Sequence, residues 1–588
     1  MTFQAPVRSL LFALTDVIGI EQLRSVEAFA DLDAPTMTAV LEAVGDLADT
    51  VLAPLNQTGD RVGCRLENDQ VITPPGFPAA YRALAEGGWV SLAADPAFGG
   101  QGLPKTLELA VSETIHAANM ALGLCPMLTQ GAIEAIHAHG TPRQRALYLP
   151  KMISGAWSGA MNLTESQSGS DLATLRTRAE PDGRGGFKLY GQKIFITWGD
   201  HDCAENVVHL VLARLPDAPE GSRGISLFLA PKRLVGEDAS LGAANALRPG
   251  GLEHKLGIHA SPTCVMLYEG AQAELIGEPN KGLAHMFTMM NAARLNVGCQ
   301  GVAVAERAYQ QALTFAQERR QGRSAWTGEA SAPIFDHPDV RRTLVGMKAD
   351  IEAARALCLL TALNADLARH LTDPAARDTA RLREELLTPI AKAWSTDVGV
   401  KVASEGVQVH GGMGFIEETG AAQHYRDARI APIYEGTNGI QAIDLAGRKL
   451  ALGGGAAMRD LIAEMRALSE TIADDADGEM AELGQRLGQA LNALQAATDW
   501  MGEHHGSPDA LAGASAYLTL AGDVIGGWLL TKGAIAAAKG EDPAQAQGRL
   551  ALAGHYAETR LAAAPGHLAA ITAGADGLAR VTAAMLEG

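Results

Sequence analysis

Apolar positions recur at helical spacing in the first and last parts of the chain, with a different pattern between them. This spacing predicts helices over 33–52, 107–122, 129–139, 283–318, 340–371, 381–406 and 441–450. Runs of alternating or β-branched residues, bounded by Gly, Pro, Asp or Ser, predict strands over 187–196, 207–212, 225–229 and 264–268. The expected fold class is therefore mainly α with a central β domain.

The changes of pattern also predict where the domains begin and end. Five regions are expected: an N-terminal extension over 1–35, an N-terminal helical domain over 36–157, a β domain over 158–277, a helical bundle over 278–450, and an extra C-terminal helical domain over 457–588. The predicted strands are joined by hairpin-length or irregular loops, which disfavours a parallel Rossmann sheet. The sequence has no G-x-G-x-x-G motif, so any dinucleotide must be bound in another way.

Composition narrows the possible partners. The 588 residues carry a net charge of −19, which disfavours non-specific binding to nucleic acid or to anionic membrane. The six cysteines are widely spaced without a C-x-x-C pair, which indicates reduced thiols in a cytoplasmic protein. The most apolar late stretch, 518–530, contains Asp523 and is too short to span a bilayer. The histidines lack the spacing of metal ligands, so no metal site is expected.

One carboxylate stands out in the stretch Ile430–Gln441. Glu435 lies between an apolar tetrapeptide and a turn of small residues over 436–439. Apolar neighbours are expected to raise the pKa of such a carboxylate, which suits a general base. The same stretch is also typical of a helix N-terminus, with Thr437 or Asn438 as the cap and Glu435 solvated just outside it. The residues alone leave both interpretations open.

Three segments resemble signatures of the acyl-CoA dehydrogenase family. They are MNLTESQSGSDL at 161–172, QVHGGMGF at 408–415, and YEGT at 434–437 after RDAR at 426–429. They occur in the family's order across roughly residues 40–450. The resemblance implies a helical lobe, a β-barrel-like domain and a helical bundle that bind FAD. It also implies an acyl-CoA substrate, an electron-transferring flavoprotein as electron acceptor, and a homodimer or homotetramer.

The resemblance assigns residues to FAD. It places Thr164 at the isoalloxazine ring, Ser170 at the pyrophosphate, Phe195 over one ring face and Thr197 beside flavin N5. It places Thr437 and Asn438 near the adenosine half. The ADP part of a flavin held by a neighbouring subunit is assigned to Arg319, Gln408, Gly411 and Gly412. Ordinary turn capping is the alternative for the hydroxyl residues, and a solvated helix end is the alternative for Arg319.

The resemblance also implies the reaction. Glu435 takes the α-proton of the acyl thioester, FAD takes the β-hydride, and the product is a trans-2-enoyl thioester. Some relatives place the base on the helix that here carries Ala293, which excludes that position in this chain. Gly436 and Arg294 are expected at the substrate, with a helix-surface salt bridge as the alternative for Arg294.

Alternatives to this function remain at the level of the sequence. One alternative within the same class is a dehydrogenase whose substrate is a short- or medium-chain fatty acyl-CoA. Two alternatives lie outside the class of dehydrogenases: a flavin-containing stress-response or DNA-associated homologue, and a catalytically silent scaffold. Residues 457–588 contain eight Lys or Arg but seventeen Asp or Glu, and this acidic balance argues against DNA binding.

Overall fold

The structure is a computed structural model that describes residues 3–475 and 478–587. Its α-helices are α1 Val7–Phe12, α2 Ala34–Leu47, α3 Ala53–Val62, α4 Phe77–Glu86, α5 Lys105–His139, α6 Pro142–Ile153, α7 Gly282–Glu318, α8 Pro338–His370, α9 Pro374–His410, α10 Ala421–Ala428, α11 Asn438–Gly447, α12 Ala456–Asp475, α13 Glu479–Glu503, α14 Pro508–Ala538, α15 Pro543–Thr559, α16 Ala564–Thr572, α17 Asp576–Ala579 and α18 Ala583–Leu586.

The strands cluster between α6 and α7, apart from one short N-terminal hairpin. They are β1 Arg65–Glu67, β2 Gln70–Ile72, β3 Trp157–Asn162, β4 Arg178–Pro181, β5 Phe187–Thr197, β6 Asn206–Arg214, β7 Ile225–Pro231, β8 Arg233–Val235, β9 Leu241–Ala244, β10 Leu247–Leu252 and β11 Thr263–Ile276. The predicted fold class, mainly α with a central β domain, is confirmed.

The chain divides into two compact units, the first formed by residues 3–5 and 39–296. Its seven-stranded sheet closes on itself, because β11 pairs with β5 and β7, β5 pairs with β4, and β6 pairs with both β4 and β7. Most pairs are antiparallel, while β3 lies parallel to β6. The ring encloses a core that includes Leu189, Val211, Phe228 and Met266, which gives the expected barrel-like domain.

One predicted feature of the helical lobe differs from the structure. The sequence pattern predicts two helices separated by a break between 122 and 129, whereas α5 runs through this segment and departs from helical geometry at Asn119 (φ −156°, ψ 91°). The Asn119 side chain accepts a hydrogen bond from the Leu122 amide at 3.1 Å and donates one to the Leu52 carbonyl at 3.3 Å. A buried amide therefore caps the second segment inside an apolar run.

The second unit consists of residues 6–38 and 297–588. Here α7 and α9 pack with their backbones almost in contact. A Cβ placed on Gly301 would lie 2.3 Å from the Ser395 carbonyl oxygen, and one on Gly399 would lie 2.7 Å from the Gly301 oxygen. Glycine is needed at both positions because any side chain would push the helices apart. The middle of α9 is consequently held in a fixed position on α7.

The C-terminal helices pack on this bundle as part of the same unit. A Cβ on Gly522 of α14 would lie 2.3 Å from Cγ of Trp394, and the Trp394 indole donates to Asp523 at 2.9 Å. The N-terminal segment joins them, since the Arg549 guanidinium lies 4.2 Å from the centre of the Phe12 ring. In residues 3–475 and 478–587, none of the helices combines the length and apolar character that crossing a bilayer requires.

Candidate active site

Glu435 lies in a turn with a strained backbone between α10 and α11. Its φ is +55°, and that of Gly436 is +84°. A left-handed conformation is uncommon for a residue with a side chain and costs about 1–3 kcal/mol, so surrounding contacts must maintain it. The Gln441 side chain donates to the Glu435 carbonyl oxygen at 3.2 Å. The half-buried Glu435 carboxylate therefore lies on a turn whose conformation is maintained by contacts with surrounding residues.

The residues that flank Glu435 also have defined partners. The Tyr434 hydroxyl donates to Gln300 on α7, and burial together with the Glu435 charge raises the pKa of this phenol. Thr437 is the N-cap of α11, and its hydroxyl accepts from the Ile440 amide at 3.3 Å. The predicted helix N-terminus with Thr437 as its cap is thus confirmed, but Glu435 just before it is half-buried and not solvated as that alternative supposed.

A contact that the sequence did not predict holds the turn from the side of α9. The Lys392 ammonium donates to the Gly436 carbonyl oxygen at 2.7 Å and to Asn438 Oδ1 at 3.0 Å. Lys392 is 0% exposed. A lysine within a helical pattern is normally read as a surface position, so sequence periodicity gave no sign of this contact.

In the first unit, Thr164 and Ser170 share one loop after β3. The Thr164 carbonyl oxygen accepts from the Ile194 amide at 2.9 Å, which fixes the loop beside β5 and hence beside Phe195 and Thr197. Ser170 is exposed, and Thr164 is half-buried. The structure therefore brings Thr164 close to Phe195 and Thr197, and Ser170 lies further along the same loop.

The same loop is anchored by a buried ion pair that the sequence did not reveal. Glu165 accepts hydrogen bonds from Lys193 Nζ at 2.9 Å, the Thr177 hydroxyl at 2.6 Å and the Arg176 amide at 2.8 Å. Burial acts to raise the pKa of Glu165, but the Lys193 charge and the Thr177 hydrogen bond outweigh it and hold the pKa at about 2. Lys193 also donates to the Leu163 carbonyl at 2.9 Å, so the pair fixes the backbone on both sides of Thr164.

Replacing Glu165 with Gln is expected to destabilise the first unit by about 3–5 kcal/mol, because Lys193 would remain buried without its carboxylate. Since folding lowers the Glu165 pKa from 4.5 to about 2, its stabilising contribution is complete above pH 4.5 and is lost as the pH falls toward 2. Thermal unfolding at pH 7 and pH 3 measures both effects. Glu180→Gln, which breaks an exposed pair with Arg178, is the control, and equal losses in the two variants would contradict the prediction.

Phe195 combines a strained backbone with an exposed aromatic side chain. It lies near the end of β5 with φ +60°, and its side chain is 58% exposed. The neighbouring Trp198 also has a positive φ, of +52°, and its indole donates to the Ala121 carbonyl at 3.1 Å. The buried Trp198 thus secures a strained strand end that presents an aromatic ring on the surface.

In the second unit, the ends of α7 and α9 lie together. The ring of Phe315 stacks on that of His410 at 4.5 Å, which joins the helix end before Arg319 to the helix end before Gly411. Arg319, Gln408, Gly411 and Gly412 are exposed. A Cβ built on Gly411 or Gly412 meets no atom of the described residues within 4 Å, so their backbone faces open space.

These residues fit FAD as judged by their chemistry. A guanidinium, an amide side chain and two unobstructed glycines suit a diphosphate and its ribose, while hydroxyls and an exposed aromatic ring suit a flavin ring. Neither set needs a Rossmann turn. Arg294 is only 9% exposed and lies over the Phe287 ring at 5.9 Å, so its side chain is buried and does not lie on the helix surface.

Four family sequence models match consecutive parts of the chain. They are described as "Acyl-CoA dehydrogenase, N-terminal domain" over 35–156, "Acyl-CoA dehydrogenase, middle domain" over 160–270, "Acyl-CoA dehydrogenase, C-terminal domain" over 280–450, and "Acetyl-CoA dehydrogenase C-terminal like" over 461–582. Together with the relatives below, they show that the chain belongs to the acyl-CoA dehydrogenase family.

Particular relatives extend the match to almost the whole chain. A 3-methylmercaptopropionyl-CoA dehydrogenase of Ruegeria pomeroyi is 46% identical over 98% of this chain and 99% of that protein. A butyryl-CoA dehydrogenase of Syntrophomonas wolfei is 35% identical over 80% of this chain and 79% of that protein. The crystal structure of an acyl-CoA dehydrogenase complexed with FAD from Bacillus anthracis shares the fold with a TM-score of 0.75 and 20% identity, over 100% of this chain and 94% of that one.

Family membership fixes the class of reaction. The chain is an FAD-dependent oxidoreductase that acts on the CH–CH group of an acyl-CoA thioester, and its family passes the electrons to electron-transferring flavoprotein. The expectations of cofactor and enzyme class drawn from the sequence are thereby confirmed.

Proposed function

We propose that this chain dehydrogenates 3-(methylthio)propanoyl-CoA to 3-(methylthio)acryloyl-CoA, with Glu435 as the base. The observation that carries the proposal is the half-buried Glu435 carboxylate on a turn that its neighbours hold in a strained shape. The 46% identity to a 3-methylmercaptopropionyl-CoA dehydrogenase over nearly the whole length supports the substrate. The reaction would serve the catabolism of dimethylsulfoniopropionate.

In this proposal the residues of the turn share the work. The Glu435 carboxylate removes a proton from C2 of the thioester, while the Glu435 backbone N–H and the adjoining Gly436 bind its carbonyl group. Polarising that carbonyl makes the C2 proton more acidic, so the two functions of one residue act on the same substrate. FAD, when bound, supplies an acceptor for the hydride that leaves C3. Arg294 binds the substrate from its buried position on α7.

The remaining predicted residues hold the cofactor. Thr164, Ser170, Phe195 and Thr197 bind the flavin ring and pyrophosphate, and Thr437 and Asn438 lie at the adenosine half. Arg319, Gln408, Gly411 and Gly412 bind the ADP part of a flavin held by a second copy of the chain. Their exposure supports this assignment and implies a homodimer or homotetramer. The six free cysteines support a cytoplasmic site of action.

A second candidate substrate is a short-chain fatty acyl-CoA, which the 35% identity to a butyryl-CoA dehydrogenase favours. Both thioesters have an unbranched acyl chain, which continues beyond C3 with a sulfur and a methyl group in the first and with a methyl group alone in the second. A hydrophobic pocket discriminates between chains that differ by one such group by only about 1–3 kcal/mol. The two candidates must therefore be ranked by kcat/KM, since each can be turned over to some extent.

Anaerobic titration of the purified flavoprotein tests the proposal. We expect 3-(methylthio)propanoyl-CoA to bleach the oxidised flavin absorption at a lower concentration than butanoyl-CoA or a long-chain acyl-CoA does. Its kcat/KM should exceed that of butanoyl-CoA by about 10-fold or more. A higher kcat/KM for butanoyl-CoA would favour the second candidate. A bound flavin that none of the three thioesters bleaches would contradict both.

A further inference from the structure

The turn that carries Glu435 cannot keep its shape by itself. Two successive residues, Glu435 at φ +55° and Gly436 at φ +84°, have left-handed backbones. The first of them has a long side chain and pays for this conformation in strain. In the proposed function the same backbone sets the directions of both the carboxylate and the Glu435 N–H. A loss of this conformation would therefore displace the base and the carbonyl-binding group together.

The support comes from one stretch of α9. Lys392 Nζ donates to the Gly436 carbonyl oxygen at 2.7 Å and to Asn438 Oδ1 at 3.0 Å. Asn438 Nδ2 in turn donates to Asp397 Oδ1 at 2.8 Å and to the Ala393 carbonyl at 3.0 Å. An ammonium only donates and a carboxylate accepts, so the pair fixes which way the Asn438 amide points.

This stretch of α9 is itself immobilised on α7. A Cβ on Gly298 would lie 2.7 Å from the Ala391 carbonyl oxygen, and one on Gly301 would lie 2.3 Å from that of Ser395. These contacts lie one residue before Lys392 and three residues after it. The Lys392 ammonium group therefore extends from a rigid segment of α9. Its hydrogen bonds connect the strained turn to that segment.

Stability alone does not explain a lysine at this position. Lys392 is 0% exposed, and burying an ammonium costs several kcal/mol even when it is hydrogen-bonded. Buried ion pairs can often be replaced as a whole by apolar residues of similar volume without loss of stability, so buried charge is weak evidence for a stabilising role. The cost is understandable if the three donors of the ammonium are needed to hold backbone and side-chain oxygens of the turn.

We infer that Lys392 is a positioning residue for the base, holding the Glu435–Gly436 turn in its active conformation through Gly436 and Asn438. The inference rests on the proposed role of Glu435. It predicts that Lys392 affects proton removal from C2 more than it affects folding, flavin content or thioester binding. Lys392 itself touches neither the substrate nor the cofactor in this assignment.

Lys392→Met tests the inference, with Lys401→Met as the matched control. Both lysines lie on α9, but Lys401 pairs with Asp350 at 2.9 Å, away from the turn. For Lys392→Met we expect kcat to fall by about 10- to 100-fold, the loss that a displacement of about 1 Å produces. KM and flavin content should stay close to wild type, and Lys401→Met should turn over like wild type.

Two further readouts separate positioning from a general structural defect. The primary isotope effect for a C2-deuterated thioester should rise in Lys392→Met, because proton removal becomes more rate-limiting, whereas that for a C3-deuterated thioester should not rise. Hydrogen–deuterium exchange of the peptide over 430–441, measured without substrate, should become faster only in the Lys392 variant. Lys392→Gln, which keeps N–H donors, should recover part of the lost turnover.

A double variant tests whether Lys392 acts on the turn through Asn438. If both residues act on one turn, Lys392→Met combined with Asn438→Ala should cost less than the product of the separate losses. Wild-type turnover in Lys392→Met, or lost turnover with unchanged isotope effects and exchange, would overturn the inference. If Lys392→Met does not fold, the same readouts on Lys392→Gln decide. Should the wild-type protein itself dehydrogenate no thioester, the proposed function fails, while the exchange measurement still tests the contact.

Discussion

Replacing Glu435 with Gln is expected to lower kcat by about 10⁴-fold, the upper end of what a positioned general base contributes. Glutamine has nearly the same size and keeps the backbone N–H, so the turn and the thioester site should persist. Its amide cannot accept a proton near neutral pH, so C2 of the substrate keeps its hydrogen. Stopped-flow measurement of flavin bleaching gives the rate directly.

The control for this variant is Glu464→Gln. Glu464 is a half-exposed carboxylate on α12 that pairs with Arg383 at 2.9 Å, and its replacement should leave turnover unchanged. In Glu435→Gln, flavin content should equal that of wild type, and addition of a thioester should still perturb the flavin spectrum. A Glu435→Gln protein that bleaches its flavin at the wild-type rate would rule out Glu435 as the base.

The long helices were predictable because their apolar spacing continues over many turns. The sequence predicts a helix over 283–318, and α7 runs from Gly282 to Glu318. The strands β3 and β10 were not predicted, because neither has a strong pattern of its own and each is defined by its pairing with another strand, β6 and β11 respectively. The break at Asn119 was also missed, since a buried amide that bonds to Leu122 looks like one polar residue in an apolar helix.

The candidate site was predicted unevenly for a similar reason. The family resemblance pointed to Glu435, Gly436 and Thr437, which are adjacent in the sequence and form one turn in the structure. Lys392 and Glu165, in contrast, bind residues that are distant in the sequence. Lys392 binds Gly436, 44 residues away, and Glu165 binds Lys193, 28 residues away. No local pattern marks a lysine or a glutamate as buried, so such contacts become visible only when the helices and strands are packed.

A large effect on stability is also expected from Arg355 on α8. Its guanidinium is 0% exposed and binds Glu306 of α7 and Glu352 of α8, each at 2.9 Å. Glu352 also binds Arg549 of α15 at 2.8 Å, so the cluster joins the bundle to the C-terminal helices. Burial acts to raise the pKa of both glutamates, but the surrounding cations outweigh it and lower the pKa of each.

Arg355→Met should lower the free energy of unfolding of the second unit by about 3–5 kcal/mol, because it leaves two buried carboxylates short of a cation. Since folding lowers both glutamate pKa values from 4.5, the stability they contribute is present above that pH and is lost progressively as the pH falls from 4.5 through the lowered folded-state pKa values. The variant should therefore differ most from wild type near neutral pH and least in acid. Denaturant unfolding at pH 7 and pH 3 measures this difference.

Arg342→Met provides the comparison on the same helix. Arg342 forms an exposed pair with Asp339, and its loss should cost less than about 1 kcal/mol at either pH. Because Arg549 reaches the cluster from α15, the C-terminal helices should unfold together with the bundle in Arg355→Met, in one transition at a lower denaturant concentration. Equal midpoints for Arg355→Met and Arg342→Met would show that the buried cluster does not stabilise this unit.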